Sequence, residues 1–362
     1  MKVMTVLGTR PEIIKLSPLI PLLDKEFNHF VVHSGQHYSF EMDSIFFREL
    51  GLKNPKYNLK VGSGTHGFQT GRMLERIEHI IINEKPDIVL TLGDTNTTLA
   101  GALAATKLNI KVVHIEAGCR SFNRSMPEEI NRIVVDHCSD YLFAPDKKSV
   151  ENLLKEGIDE KRIYMTGSLI IDACLRSRRF IDKSEIEKKL KLKKGKYILV
   201  TIHRAENTES IMILKNIISA LNEISEKINV VFVVHPRTMK LLRENKVTWR
   251  KNVIISKPLG YFDLLRLIQG SRFIITDSGG IQEEACVLNT PCLVARNETE
   301  WMRLVEGGKN FLVGNKKQRI LKACNSLLDD KFLETVKKRE LKLVKDVDKK
   351  ILSILKNILR GN

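Results

Sequence analysis

The sequence predicts an α/β protein built from two doubly wound, Rossmann-like domains facing across a cleft. Short apolar, β-branched runs alternate with longer helix-forming stretches from residue 2 onward, the pattern of a parallel sheet wrapped by crossover helices. The alternation starts afresh near residue 197, after a lysine-rich segment. Strand after strand ends in a glycine-bearing or acidic turn, the edge at which open α/β sheets bind ligands. At 362 residues the chain exceeds one ordinary domain. The expected division is a first domain over 1–168, a second over 169–345, and a C-terminal helix over 346–362 that packs back on the first.

The first strand is Lys2 to Leu7, followed by Gly8-Thr-Arg-Pro-Glu-Ile-Ile-Lys15, where Pro11 fits the first turn of a helix. Arg10 and Lys15 thus flank a strand-to-helix turn. Next come the strand Phe30 to His33 and the loop Ser34-Gly-Gln-His-Tyr38. The glycine-rich segment Gly62 to Gly67 then leads into a helix from about Gln69 to Asn83. Strand Asp87 to Leu92 ends in Gly93-Asp94 and a helix of small residues, Leu99 to Lys107. Strand Lys111 to Ile115 ends in Glu116-Ala-Gly-Cys-Arg120, and Pro127-Glu128-Glu129-Ile-Asn-Arg132 opens another helix. Tyr141 to Ala144 and Arg162 to Thr166 are further short strands. A charged helical segment, Ile170 to Lys194, marks the boundary and stops at Gly195. The second half offers strands at Tyr197–Ile202, Asn229–Val234, Asn252–Ile255, Arg272–Thr276 and Pro291–Ala295. The helix from Lys331 to Leu359 is too long for one crossover, so a break within it is expected.

Composition narrows the function. With 43% hydrophobic and 28% charged residues the chain reads as globular, and no apolar run approaches the roughly 20 residues of a membrane span. Its N-terminus lacks a secretory pattern, which points to the cytoplasm. Six scattered cysteines without a Cys-x-x-Cys pair suggest neither a metal site nor a disulfide framework. The net charge of +17 raises the question of nucleic acid. Much of the excess lies in Arg176–Lys196 and Lys337–Lys350, mixed with acids and without interleaved aromatics. A solvated face, and a small anionic substrate rather than a nucleic acid, is the better reading.

The chemistry concentrates in the turns. In Thr276-Asp-Ser-Gly-Gly-Ile-Gln-Glu-Glu-Ala285 a buried strand runs through glycines into a helix. Ser278, Gly279 and Gly280 there form either a seat for a phosphate group or a plain helix cap. Glu284, one turn on, is in reach of a ribose hydroxyl if a nucleotide sits there. His203-Arg204-Ala-Glu206-Asn207 and His235-Pro-Arg237 add cations and imidazoles at neighbouring strand ends. Asp94, Glu116 and Glu128 supply carboxylates suited to moving protons. Asp94 also fits a helix N-cap, and Glu128 also fits a first-turn acid serving the helix dipole.

Seven motifs in order, Gly8–Lys15, Ser34–His37, Gly93–Thr95, His114–Arg120, Pro127–Arg132, His203–Asn207 and Thr276–Ala285, resemble those of the non-hydrolysing UDP-N-acetylglucosamine 2-epimerases. The resemblance runs from the first strand to about residue 300. It implies a glycosyltransferase-B type fold, a homodimer and no organic cofactor. It also implies inversion at C2 of UDP-N-acetylglucosamine, through elimination of UDP and its re-addition to a 2-acetamidoglucal. The family's catalytic positions match Asp94, Glu116, Glu128 and His203. Binding of UDP or sugar is implied for Arg10, Lys15, Arg132, His203, His235, Ser278, Gly279, Gly280 and Glu284. Gln36 matches a glutamine through which bacterial members respond to their own substrate. Two departures stand out. Trp301 replaces the arginine of the family's Thr-Glu-Arg-Pro-Glu, and Leu264 stands where members commonly offer uracil an aromatic, with Tyr261 and Phe262 close by. The rivals are a sugar transferase of the same fold, a hydrolysing epimerase that frees the sugar, and a basic RNA-binding protein with a degenerate cleft.

Overall fold

The computed structural model describes residues 1–36 and 46–361, so His37 of the second motif and Tyr38 after it lie outside the described residues. Seven parallel strands form the first sheet: β1 (Lys2–Leu7), β2 (Asn28–His33), β3 (Tyr57–Asn58), β4 (Ile88–Leu92), β5 (Lys111–Ile115), β6 (Tyr141–Ala144) and β7 (Ile163–Met165). Their spatial order is β3-β2-β1-β4-β5-β6-β7. The second sheet has six: β8 (Tyr197–Thr201), β9 (Asn229–Val233), β10 (Val253–Ser256), β11 (Ile274–Thr276), β12 (Cys292–Val294) and β13 (Asn310–Leu312). These follow the order β10-β9-β8-β11-β12-β13. All pairings are parallel, with Val3 opposite Ile88 and Leu199 opposite Ile274. The order reverses between β1 and β4 in one sheet and between β8 and β11 in the other. Such a switch point leaves a crevice at the strand C-termini.

The chain divides into two compact units, 1–173 with 344–362, and 174–343, each an α/β layer structure of Rossmann type. Strands covered on both faces read as continuous apolar runs, as in β4 (Ile-Val-Leu-Thr-Leu) and β8 (Tyr-Ile-Leu-Val-Thr), whose residues are all buried. Charge is shared unevenly. Residues 174–343 hold 34 of the 60 basic side chains but only 19 of the 43 acidic ones, and so carry +15 of the net +17.

Three segments differ from the sequence expectation. The helix expected from about Gln69 starts at His66, with Thr65 at the N-cap position but making no side-chain capping bond, and buries Gln69, Met73, Ile77, Ile80 and Ile81 along one stripe. The charged stretch after Ile170 is not one helix but Leu169–Arg176, Arg178–Ile181 and Ile186–Lys189. Ser184 interrupts it, its hydroxyl accepting from Ile186 N and bonding Asp263, while Ile181 and Ile186 are buried. The C-terminal run breaks into Asp330–Lys338 and Val347–Arg360. Asp172 receives the second of these, accepting from the backbone N–H of Asp346 at 3.0 Å and of Asp348 at 3.1 Å. Lys356 then pairs with Glu26 at 2.6 Å.

Glu84, the last residue of the helix from His66, is clamped by Lys2, Lys56 and Tyr57. These three contacts lower its pKa from 4.5 to about 2. A depressed carboxyl contributes stability above its unfolded value and loses it as pH falls through the folded one. In urea titrations the advantage of the native chain over Glu84→Gln will therefore be full near pH ~6 and gone by pH ~2.

Candidate active site

Around the first switch point, one buried carboxylate organises two turns. Glu12 Oε2 accepts from Gly8 N at 2.8 Å, Thr9 N at 2.7 Å and Thr9 Oγ1 at 3.0 Å. Its Oε1 accepts from Thr95 Oγ1 at 2.7 Å. The turn after β1, which carries Arg10, and the turn after β4, which carries Asp94, are thus held by one side chain. Burial pushes the Glu12 carboxyl upward, against the pull of these donors. Glu12 belongs to the first motif, yet nothing in its neighbourhood foretold this role, because Thr95 is 83 residues away.

Asp94 is not the N-cap of the helix that follows. Thr95 is, its hydroxyl accepting from Thr98 N. The Asp94 carboxylate instead takes Arg132 Nε at 3.0 Å and Nη2 at 2.6 Å, and its side chain is 32% exposed. Arg132 also reaches Glu129, whose carboxylate accepts from Ser121 N, Ser121 Oγ and Phe122 N. Glu129, fully buried, is therefore the structural acid of its pair. Glu128 is half-buried and makes no hydrogen bond or ion pair among the described residues.

Glu116 follows β5 in the left-handed region, φ +70°, where a non-glycine residue costs about 1–3 kcal/mol. Its carboxylate is buried, with Oε2 on Lys15 Nζ at 2.7 Å. Oε1 has no hydrogen-bond partner. Lys15 therefore sits with the acids. Beneath them His114 bonds Asp136 at 2.6 Å through Nδ1 and the Gly93 carbonyl at 2.8 Å through Nε2. Asp136 also takes Arg120 Nη2 at 2.7 Å and Gly118 N at 3.0 Å. Burial works against its ionisation, but His114 and Arg120 outweigh that and hold its carboxyl below the usual range.

Arg10 stacks on Phe46, 4.5 Å from the ring centre. Gln36 Oε1 accepts from Thr97 Oγ1 at 2.7 Å.

Around the second switch point the organising acid is Asp277, fully buried at the end of β11. It accepts from His203 N at 3.0 Å, Arg204 N at 2.9 Å and Asn207 Nδ2 at 3.0 Å, with His203 Nδ1 at 3.1 Å. Desolvation raises its carboxyl, but these donors prevail and the net shift is downward. Asp277 thus fixes the loop that presents His203, whose ring lies 6.1 Å from that of His235. Ser278 occupies the N-cap of the helix Gly279–Val287, but its side chain makes no capping bond. The helix N-terminus is left to its backbone N–H groups and dipole. A Cβ on Gly279 would strike Glu300 and Trp301, whereas one on Gly280 would meet nothing within 4 Å. Gly279 is required by packing, and the space over Gly280 is open. Glu284 lies on the same helix, 5% exposed.

Both departures can be located, Leu264 as a half-buried residue of the helix Tyr261–Gly270. Trp301 is buried, 3% exposed, against Gly279. Arg303 bonds Glu283 at 2.8 Å and lies 5.7 Å from the Trp301 ring centre. The fully buried Arg296 hydrogen-bonds Glu300 at 2.9 Å and forms an ion pair with Glu206 at 3.0 Å. Tyr261 is buried, and Phe262 stacks on Phe180 at 4.6 Å. Among the described residues no three His, Cys, Asp or Glu side chains are placed to hold a metal ion.

A family model described as UDP-N-acetylglucosamine 2-epimerase matches residues 23–356. The chain belongs to that family. A UDP-N-acetylglucosamine 2-epimerase of Methanocaldococcus jannaschii is 49% identical over 341 residues, covering 91% of this chain and 93% of that protein. A UDP-2,3-diacetamido-2,3-dideoxy-D-glucuronate 2-epimerase of Pseudomonas aeruginosa is 42% identical, covering 91% and 92%. The crystal structure of the M. jannaschii UDP-GlcNAc 2-epimerase with UDP-GlcNAc and UDP superposes with a TM-score of 0.91, covering 99% of this chain and all of that one. The fold is accordingly the two-domain, glycosyltransferase-B type of these epimerases, and the chain is an isomerase of that family. No helix among the described residues is long and apolar enough to cross a membrane.

Proposed function

We propose that this chain interconverts UDP-N-acetylglucosamine and UDP-N-acetylmannosamine by eliminating and re-adding UDP. The observation that carries the reading is Glu116: a buried carboxylate in a strained backbone, one oxygen steadied by Lys15 and the other without a partner. Such strain persists where the surroundings over-determine it, and functional sites are where it gathers. Removal of the C2 proton by one carboxylate leaves an electron pair that forms the C1–C2 double bond as the C1–O bond to UDP breaks. Return of UDP to C1 and of a proton to the opposite face of C2 gives the epimer. Asp94, steadied by Arg132, and Glu128, without a partner of its own, are the other proton carriers, and the three acids between them serve both faces of C2.

The diphosphate belongs over Ser278, Gly279 and Gly280, with His203 and His235 countering its charge and Glu284 on the ribose. Glu12 supports this choice. Its carboxylate already takes the N–H groups of Gly8 and Thr9, so the phosphate seat of the first strand-to-helix turn is filled from within. Leu264 and the engagement of Phe262 with Phe180 leave uracil to be recognised without a ring from that helix. We further assign the protein to the cytoplasm as a homodimer, with Gln36 able to respond to bound substrate and no nucleic-acid partner. Size-exclusion light scattering checks the dimer.

The deciding experiment is incubation with UDP-N-acetylglucosamine in deuterium oxide. Deuterium at C2 of both epimers, seen by proton NMR, is the expected outcome. Free N-acetylmannosamine accumulating with UDP would instead make the enzyme a hydrolase, and absence of any C2 exchange would end the reading. The uronate nucleotide sugar named for the P. aeruginosa relative, tested alongside, sets the substrate range.

A further inference from the structure

A chain of amides beside Asp94 ends on an imidazole that no motif singled out. Gln69 Nε2 donates to two backbone carbonyls, Gly62 O at 2.8 Å and Gln36 O at 3.1 Å. A carbonyl only accepts, so Gln69 Oε1 must be the end that faces Asn96 Nδ2, at 3.2 Å. At the far end Asn131 Nδ2 donates to the Asp94 carbonyl at 2.9 Å and to Asn96 Oδ1 at 3.3 Å. Backbone at both ends therefore fixes which way each amide points. The second hydrogen of Asn96 Nδ2 meets His66 Nδ1 at 3.2 Å, shorter than the 3.5 Å from that nitrogen to Asn96 Oδ1. Nδ1 accepts, and the proton of the neutral ring is held on Nε2.

We infer that His66 is a substrate-contacting residue that donates a hydrogen bond from Nε2 to a hydroxyl oxygen of the hexose. His66 is exposed, at the first position of its helix, and its partner Asn96 lies two residues from Asp94. A neutral N–H suits a sugar oxygen, whereas a diphosphate is met by cations and helix N-termini. With Nδ1 engaged by a donor that cannot turn round, the ring binds substrate and does not carry the C2 proton. The inference rests on the epimerase reading above.

Two substitutions separate donor from scaffold. Asparagine can place its oxygen where Nδ1 stood and keep Asn96 bonded, but it loses the outward donor. Glutamine keeps a donor at the Nε2 position and gives up the bond to Asn96. His66→Asn should raise KM for UDP-N-acetylglucosamine about tenfold, the size of one neutral hydrogen bond, with kcat within about twofold. His66→Gln should stay within about threefold of wild type in KM. Inhibition by UDP alone should be unchanged in both. An unaltered KM in His66→Asn overturns the inference, as does an equal rise in both variants or a matching loss of UDP inhibition. An inactive wild type would instead bring down the epimerase reading itself.

Discussion

Glu12→Ala will lower the thermal midpoint by about 6–12 °C and abolish epimerisation, the loss expected when about 3 kcal/mol is taken from a unit of this size. Two buried N–H groups and two hydroxyls lose their acceptor at once. The damage is directional, because the same carboxylate sets both the Arg10 turn and the Asp94 turn. Glu12→Gln is the informative companion. Its amide oxygen can still accept from Gly8 and Thr9, and its nitrogen can donate to the Thr95 hydroxyl oxygen, so most stability should survive. Differential scanning calorimetry of the three proteins tests this. An alanine variant that melts with wild type would refute the role given to Glu12.

Glu116→Gln should cut turnover by about 10²–10⁴ while leaving UDP affinity within a factor of about three. The amide preserves shape and can still accept from Lys15, but it cannot take a proton from carbon. The nucleotide seat proposed above is organised separately by Asp277, which gathers His203, Arg204 and Asn207. Calorimetric titration with UDP, beside the rate of C2 deuterium exchange, reads the two effects apart. Normal exchange in this variant would remove Glu116 from the proton path and leave Asp94 and Glu128 to share it.

The alternation of strands and helices was legible because each central strand is a short β-branched run ending in a turn residue. β3 and β13 were not, since two or three residues at a sheet edge give no periodicity. The charged stretch after Ile170 misled because lysine and glutamate favour helix everywhere, while its breaks depend on Ser184 meeting Asp263. Asp94, Glu116 and Ser278 were legible as strand-end residues of chemically apt type. Glu12, Asp277, Asp136 and Asn96 were not, although all but Asp136 and Asn96 lie inside recognised motifs. Their work is to bind residues far along the chain, and spacing in the sequence carries no trace of such closure. Trp301 was visible as a departure, but only packing explains it, since the indole lies against Gly279.

The uneven sharing of charge has a kinetic meaning. Residues 174–343 carry +15 of the net +17, and the field of that charge would draw a dianionic nucleotide toward them before any contact forms. Capture of substrate would then slow as ionic strength rises and the field is screened within about 10 Å, while the carbon chemistry, which begins after capture, would change less.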